Sequence, residues 1–217
     1  LLASDFEVSI IKRECSDLTL LGPVVEDVSV YEYDGSTQSV IEALQSSTPD
    51  IVIHLASLFI AEHKSSDIED LIKSNLMFST QISEAIKVTD CKYLLNAGTS
   101  WEHFESSIYN PTCLYAATKY AYQAILKYYI VTGDLSVITL KLFDTYGPDD
   151  HRPKLIPFLK KISRDNTELD MSPGGQLIDI VHIDDVVDAF LCAVNYLAEN
   201  QFQGLGRRHD HNSLSSQ

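Results

Sequence analysis

Tyr115 and Lys119 stand four residues apart in the stretch PTCLYAATK, residues 111–119. On a helix, positions i and i+4 share a face. A phenol titrates near pH 10, and a cation one turn away favours its phenolate. Such a tyrosine could protonate a carbonyl being reduced, or take the proton of an alcohol being oxidised. The same spacing also arises by chance, and this helix is rich in tyrosine, with Tyr120, Tyr122, Tyr128 and Tyr129. Other groups in the chain have the right chemistry to join the pair. Thr99 and Ser100 follow an apolar run in NAGTSWEHF; a hydroxyl there could bond the oxygen that Tyr115 protonates, or simply cap a loop. The run DIVIHLAS closes on His54, Leu55, Ala56 and Ser57, where small residues would let a ligand approach the backbone; His54 reads equally as a core histidine. Asn75, in SNLMFSTQISEA, could fix a water or bend a helix, or lie on the surface.

The elements that must position these residues follow from hydrophobic periodicity. Strands are expected at 6–11, 28–33, 50–56, 92–98, 136–143 and 176–183. Helices are expected at 39–47, 67–88, 112–131, 153–163 and 184–198, with Pro153 in the first turn of its helix and Asp184-Asp185 opening the last as N-cap and first-turn acid. The run at 50–56 is continuously apolar, as in a strand buried on both faces. Strands alternating with helices imply right-handed crossovers, hence an α/β, doubly wound parallel sheet. Ligands bind such sheets outside the carboxyl ends of the strands, where Ser57 and Thr99 fall.

Composition narrows the function classes. The 217 residues carry a net charge of −15, which disfavours binding to a nucleic-acid backbone. No apolar run reaches the length of a membrane span. The four cysteines form no CxxC and no metal-spaced set with histidine; they read as free thiols in a reducing cytoplasm, and no metal is expected.

Together, DIVIHLAS, the Asn75 helix, the Thr99 strand end, Tyr115-x-x-x-Lys119, LKLFDTYGP and DIVHIDDVVDA resemble, in order and spacing, the extended short-chain dehydrogenase/reductases. This is the NAD-dependent epimerase/dehydratase family, which acts on nucleotide sugars. The resemblance runs to about residue 200. It implies that Tyr115 is the acid–base residue, that Lys119 binds the nicotinamide ribose and lowers the Tyr115 pKa, that Thr99 completes the triad and that Asn75 supports the site. Leu55, Ala56 and Ser57 would lie along the cofactor. Phe143 to Pro148, including Asp144, would line the nicotinamide and substrate pocket. Ser100, Trp101 and Phe158 would face the sugar nucleotide. Dehydratases of this family carry an acidic residue one or two places after the catalytic threonine. Here those places hold Ser100 and Trp101, so elimination is disfavoured. NAGTSWEHF and SPGGQLIDIVHIDD look most like bacterial synthases that reduce the 4-keto group of CDP-3,6-dideoxyhexoses, the abequose type that supplies O-antigen. A nucleotide-sugar 4-epimerase is the alternative, and a non-catalytic remnant of the family another.

Lys12 and Arg13, ending the strand that the family would use to select its ribose, suit the 2′-phosphate of NADP rather than NAD, or form a solvated basic turn. Asp34 would lie beside the adenine, or serve as a turn residue before Gly35. The chain departs from the family in one respect: none of its nine glycines forms the GxxGxxG phosphate loop, and none precedes FEVSII. The opening LLASDFEVSIIKR, without an initiator Met or a signal-peptide pattern, reads as if an N-terminal portion, first strand included, were missing. Such a chain is expected to bind NADP poorly. The division expected is an incomplete NAD(P)-binding domain over 1–150, a partial substrate-binding region over 151–200 interleaved with the last elements of the sheet, and a disordered tail over 201–217. The resemblance also implies a homodimer through helices 67–88 and 112–131.

Overall fold

The computed structural model describes residues 1–210 apart from 5, 107, 134, 149, 151, 153, 172 and 176. Its centre is a parallel sheet of β3 (Ile51–His54), β4 (Tyr93–Thr99) and β5 (Ser136–Leu142), with β4 in the middle. A second parallel pair joins β1 (Val8–Arg13) to β2 (Val28–Tyr33), and a third joins β6 (Asp144–Tyr146) to β7 (Ile180–His182). The helices are α1 (Thr37–Ser47), α2 (Ile68–Ile72), α3 (Phe78–Lys87), α4 (Leu114–Gly133), α5 (Leu155–Asp165) and α6 (Ile183–Asp210).

Adjacent leucines on β4 show how the layers form. Successive strand residues point to opposite faces. Leu94 is fully buried in one core, with Val40, Leu44, Ile82, Ile86, Tyr122 and Leu126 from α1, α3 and α4. Leu95 is fully buried in another, with Ala193, Val194 and Leu197 from α6. Helices therefore cover both faces, as expected of a doubly wound fold. Burying each leucine contributes roughly 1.5–3 kcal/mol. Among the described residues no ladder joins β1–β2 to β3–β4–β5, yet Ile11 and Tyr33 pack against the same cluster as Val52.

Local chemistry sets the helix ends. The Ser36 hydroxyl accepts from the Ser39 N–H at 3.1 Å and caps α1. Between α2 and α3 the helix does not stop: residues Lys73–Met77 form a π-helical turn with Asn75 at its middle. The helix expected over 67–88 is thus one rod with a bulge.

The structure corrects four of the expected elements. The strand expected over 176–183 is only Ile180–His182, because Leu177 and Ile178 find no covering layer and stand exposed. The strand expected to run through Phe143 ends at Leu142, and Asp144–Tyr146 form a separate strand. Helix α5 begins at Leu155, after Pro153, which lies outside the described residues. Residues 201–210 continue α6 where a tail was expected. Residues 211–217 lie outside the described residues. No helix among the described residues is long and apolar enough to cross a membrane.

Candidate active site

At the carboxyl end of the central sheet lies an open cleft with a volume of about 180 Å³. Strand β4 brings Ala97, Gly98 and Thr99 to its floor, and the following turn adds Trp101. Gly98 is required there: a Cβ would meet Thr139 Cγ2 on β5 at 2.9 Å. Helix α4 contributes Tyr115 and Lys119 from successive turns of one face. The segment after β3 supplies Leu55, Ser57 and Phe59, and the chain after β5 supplies Phe143, Asp144 and Thr145.

Thr99 is 6% exposed, and its hydroxyl accepts from the Trp101 N–H at 3.3 Å, so it caps the turn while facing the cleft. The Lys119 ammonium is almost wholly buried, and burial pulls its pKa down to about 8 against the opposing pull of the Glu102 carboxylate. Tyr115 behaves differently from the expectation. Burial pushes its phenol above the ordinary value, and the group that opposes this is the Ser57 hydroxyl rather than Lys119. Desolvation of the phenol outweighs the Ser57 hydrogen bond. The Tyr115 ring meets Phe59 edge-on at 5.0 Å, and Phe59 meets Trp101 in the same way at 5.4 Å.

Asn75 lies behind the cleft, 1% exposed. Its Oδ1 accepts from the Leu58 N–H at 2.7 Å and the Ser57 hydroxyl at 3.2 Å. Its Nδ2 donates to the Leu58 carbonyl at 2.9 Å and to Thr118 Oγ1 at 3.2 Å. One side chain therefore ties the Ser57–Leu58 backbone to α4, and Ser57 carries that connection on to Tyr115. His54 is a core histidine. It bonds Ser79 Oγ at 2.7 Å, and burial, with Lys119 nearby, drops its pKa to about 3.

The remaining expected residues separate. Leu55, Ser57, Trp101, Phe143 and Asp144 line the cleft; Ala56, Ser100 and Phe158 do not. Ser100 opens the turn that Thr99 caps, and Phe158 sits on α5, beyond the lining segment. Lys12, Arg13 and Asp34 end β1 and β2, in the sheet pair apart from β3–β4–β5. Lys12 pairs with Glu32 at 3.5 Å, and Asp34 accepts from the Ser36 N–H at 2.8 Å, which is a turn-residue role. Among the described residues no group of His, Cys, Asp and Glu could hold a metal.

Sequence reasoning missed six residues of the cleft: Phe59, Ala97, Gly98, Leu142, Arg152 and Lys154. Arg152 bonds Asp150 through Nε and Nη2, each at 2.7 Å, and reaches Thr145 Oγ1 at 3.2 Å. Lys154 pairs with Asp144 at 3.3 Å and lies over the Phe59 ring at 6.0 Å. The run DDHRPK following a strand end carried a usable signal, since several charges there flank a proline. Phe59 had none. The apolar wall (Leu55, Phe59, Leu142, Phe143) facing hydroxyls and an ammonium suits a nicotinamide riboside beside a sugar. Among the described residues the cleft lining holds no counterpart of a glycine-rich phosphate loop.

The NAD dependent epimerase/dehydratase family matches residues 1–203. The chain is 30% identical over 164 residues to a CDP-abequose synthase of Yersinia pseudotuberculosis, covering 73% of this chain and 56% of that protein. It is 23% identical over 192 residues to a CDP-abequose synthase of Salmonella muenchen, covering 88% and 62%. It therefore spans about three fifths of the length of these curated relatives. In fold it is similar to the UDP-glucuronic acid 4-epimerase of Bacillus cereus solved with UDP-glucuronic acid and NAD, with a TM-score of 0.75 at 22% identity over 88% of this chain and 66% of that one.

Proposed function

Because this chain belongs to the NAD dependent epimerase/dehydratase family, we propose that it carries the acid–base centre of a nucleotide-sugar oxidoreductase. The reaction assigned is reduction of the 4-keto group of a CDP-linked deoxyhexose with NADPH or NADH, in the cytoplasmic assembly of O-antigen or a related polysaccharide. One observation carries the reading: Thr99, Tyr115 and Lys119 line a single cleft at the carboxyl ends of the parallel strands. The names of the curated relatives support a CDP sugar.

A bound nicotinamide would supply the hydride. Tyr115, held in its protonated form by burial, donates its phenolic proton to the carbonyl oxygen, and the Thr99 hydroxyl hydrogen-bonds that same oxygen. Lys119 presents an ammonium to the cofactor ribose and stabilises the phenolate left behind. Leu55, Ser57 and Phe143 would hold the nicotinamide end, with Lys12, Arg13 and Asp34 reserved for the adenosine end. Trp101, Asp144, Arg152 and Lys154 face the sugar nucleotide. Glu102, the first acidic residue after Thr99, is buried outside the cleft lining and paired to Lys141, which supports reduction over water elimination.

The active assembly would be a homodimer. The rod of α2 and α3 leaves Ile68, Ile72 and Met77 exposed, and α4 leaves Tyr120, Tyr128 and Val131 exposed, enough apolar surface for two helices to pair with their symmetry mates. The test is a reductase assay with a CDP-4-keto-6-deoxyhexose, following NADPH consumption at 340 nm, on this chain and on any longer product of the same gene. Stoichiometric oxidation, lost in Tyr115→Phe, supports the reading. Interconversion of 4-epimers without net consumption would replace it with an epimerase. Binding of neither cofactor nor sugar nucleotide would leave the remnant.

A further inference from the structure

Phe59 lines the cleft from the segment after β3, yet the acid–base reading of the site gives it no task. Its side chain is 44% exposed, and its lining neighbours Leu55 and Phe143 are exposed with it. Its ring meets Tyr115 with centroids 5.0 Å apart and planes at 82°, and meets Trp101 at 5.4 Å and 71°. Lys154 Nζ stands 6.0 Å from the centroid of the same ring. The chain just before Phe59 is clamped, since Asn75 bonds both the N–H and the carbonyl of Leu58. An apolar wall is therefore fixed directly beside the Tyr115 phenol.

We propose that Phe59 is a specificity-determining residue, which selects a sugar nucleotide whose hexose is deoxygenated on a carbon flanking the reacting carbon. The proposal rests on the reading that Tyr115 meets the reacting oxygen. A ring in contact with Tyr115 then faces the sugar atoms next to that oxygen, which are the two flanking carbons and their substituents. A hydroxyl pressed against an aromatic wall gives up water and needs another partner. The polar side chains of the lining are already engaged. Ser57 donates to Asn75 Oδ1, and Thr99 accepts from the Trp101 N–H. Asp144 pairs with Lys154, and Arg152 bonds Asp150 and Thr145. Tyr115 and Lys119 serve the reacting oxygen and the cofactor. A flank carrying only hydrogens or a methyl group loses no hydrogen bond here and gains apolar contact. The selectivity is modest, because an apolar pocket rejects an added hydroxyl by at most about 100-fold. With the wall this open to solvent, about tenfold is expected.

The test compares CDP-glucose with CDP-3,6-dideoxyglucose, each titrated into the full chain with and without NADPH. The readout is the emission of the single tryptophan, Trp101, which lines the cleft. The unaltered protein binds the dideoxy sugar about tenfold more tightly. Phe59→Ser puts a hydroxyl where the ring stood and brings the ratio of affinities close to one. Phe59→Leu keeps an apolar wall and keeps the preference. A ring with a merely structural role would weaken both sugars alike in Phe59→Ser and leave their ratio as it was. Equal affinities in the unaltered protein, a ratio that Phe59→Ser does not change, or binding of neither sugar overturns the proposal. Phe59→Ala carries the same comparison if the serine variant does not fold. Selectivity is read from binding alone: equal affinities sink this proposal and leave reduction standing, whereas selective binding without NADPH consumption sinks reduction and leaves the role of Phe59.

Discussion

Replacing Asn75→Ala removes the polar link between the β3 loop and α4. Four hydrogen bonds are lost: Leu58 N–H at 2.7 Å, the Leu58 carbonyl at 2.9 Å, and Ser57 and Thr118 at 3.2 Å each. Each contributes about 1 kcal/mol net, and alanine regains about 0.5 kcal/mol because it suits a helix better than asparagine. The expected loss is therefore about 3–4 kcal/mol. Ser57→Ala gives an internal scale, since it removes one of these bonds and should cost about 1 kcal/mol or less. Urea unfolding followed by the single tryptophan, Trp101, measures both, and that side chain lines the cleft. A loss below about 1 kcal/mol for Asn75→Ala would show that the loop finds other partners, and the argument that Asn75 organises the site would fail.

His54 predicts a pH dependence. Its pKa falls from 6.5 to about 3 on folding, so between these values the unfolded chain binds the extra proton. Its contribution to stability is complete above pH 6.5 and declines as pH falls toward 3, by about 1.4 kcal/mol for each pH unit below about 6. His54→Asn should flatten urea-derived stability across this range, and an unchanged slope refutes the assignment. Gly147→Ala should destabilise by about 1–3 kcal/mol, because its Cβ would lie 2.5 Å from Ile183 Cγ2 on a β-branched side chain that cannot swing away. Ile183→Ala in the same background should recover part of the loss, and a strictly additive pair would be evidence against the contact. The 217-residue chain, with no GxxGxxG run, should bind NADPH more weakly than about 100 μM. A fluorescence titration giving a low-micromolar Kd would contradict this.

The layers were legible because apolar runs and helical periods alternate cleanly. The range of β2 matches its expected strand at both ends, and β4 and α4 lie within two residues of theirs. Other features left no trace in periodicity. The π turn at Asn75 keeps the helical pattern on either side, so only the buried hydrogen bonds reveal it. Strand β6 is three residues of mixed polarity set against β7, a long-range pairing that no local window can contain. The Tyr115–Lys119 pair was visible as a spacing, but the direction of the Tyr115 shift was not, since it depends on how deeply the ring is desolvated. In the sequence Glu102 is one more polar residue of NAGTSWEHF. Its pairing with Lys141 and Gln123 needed the turn, the strand and the helix together.

Strand β4 is hydrogen-bonded on both sides, to β3 and to β5, and carries a leucine into each core. Opening it means breaking two ladders and wetting both hydrophobic layers at once, so its amides should exchange with solvent only when the whole sheet comes apart. Thr99 and the Trp101 turn hang from the end of this strand. The floor of the cleft is therefore slow and rigid. A ligand entering the cleft would meet the Thr99 hydroxyl on a seat that yields only with the whole sheet.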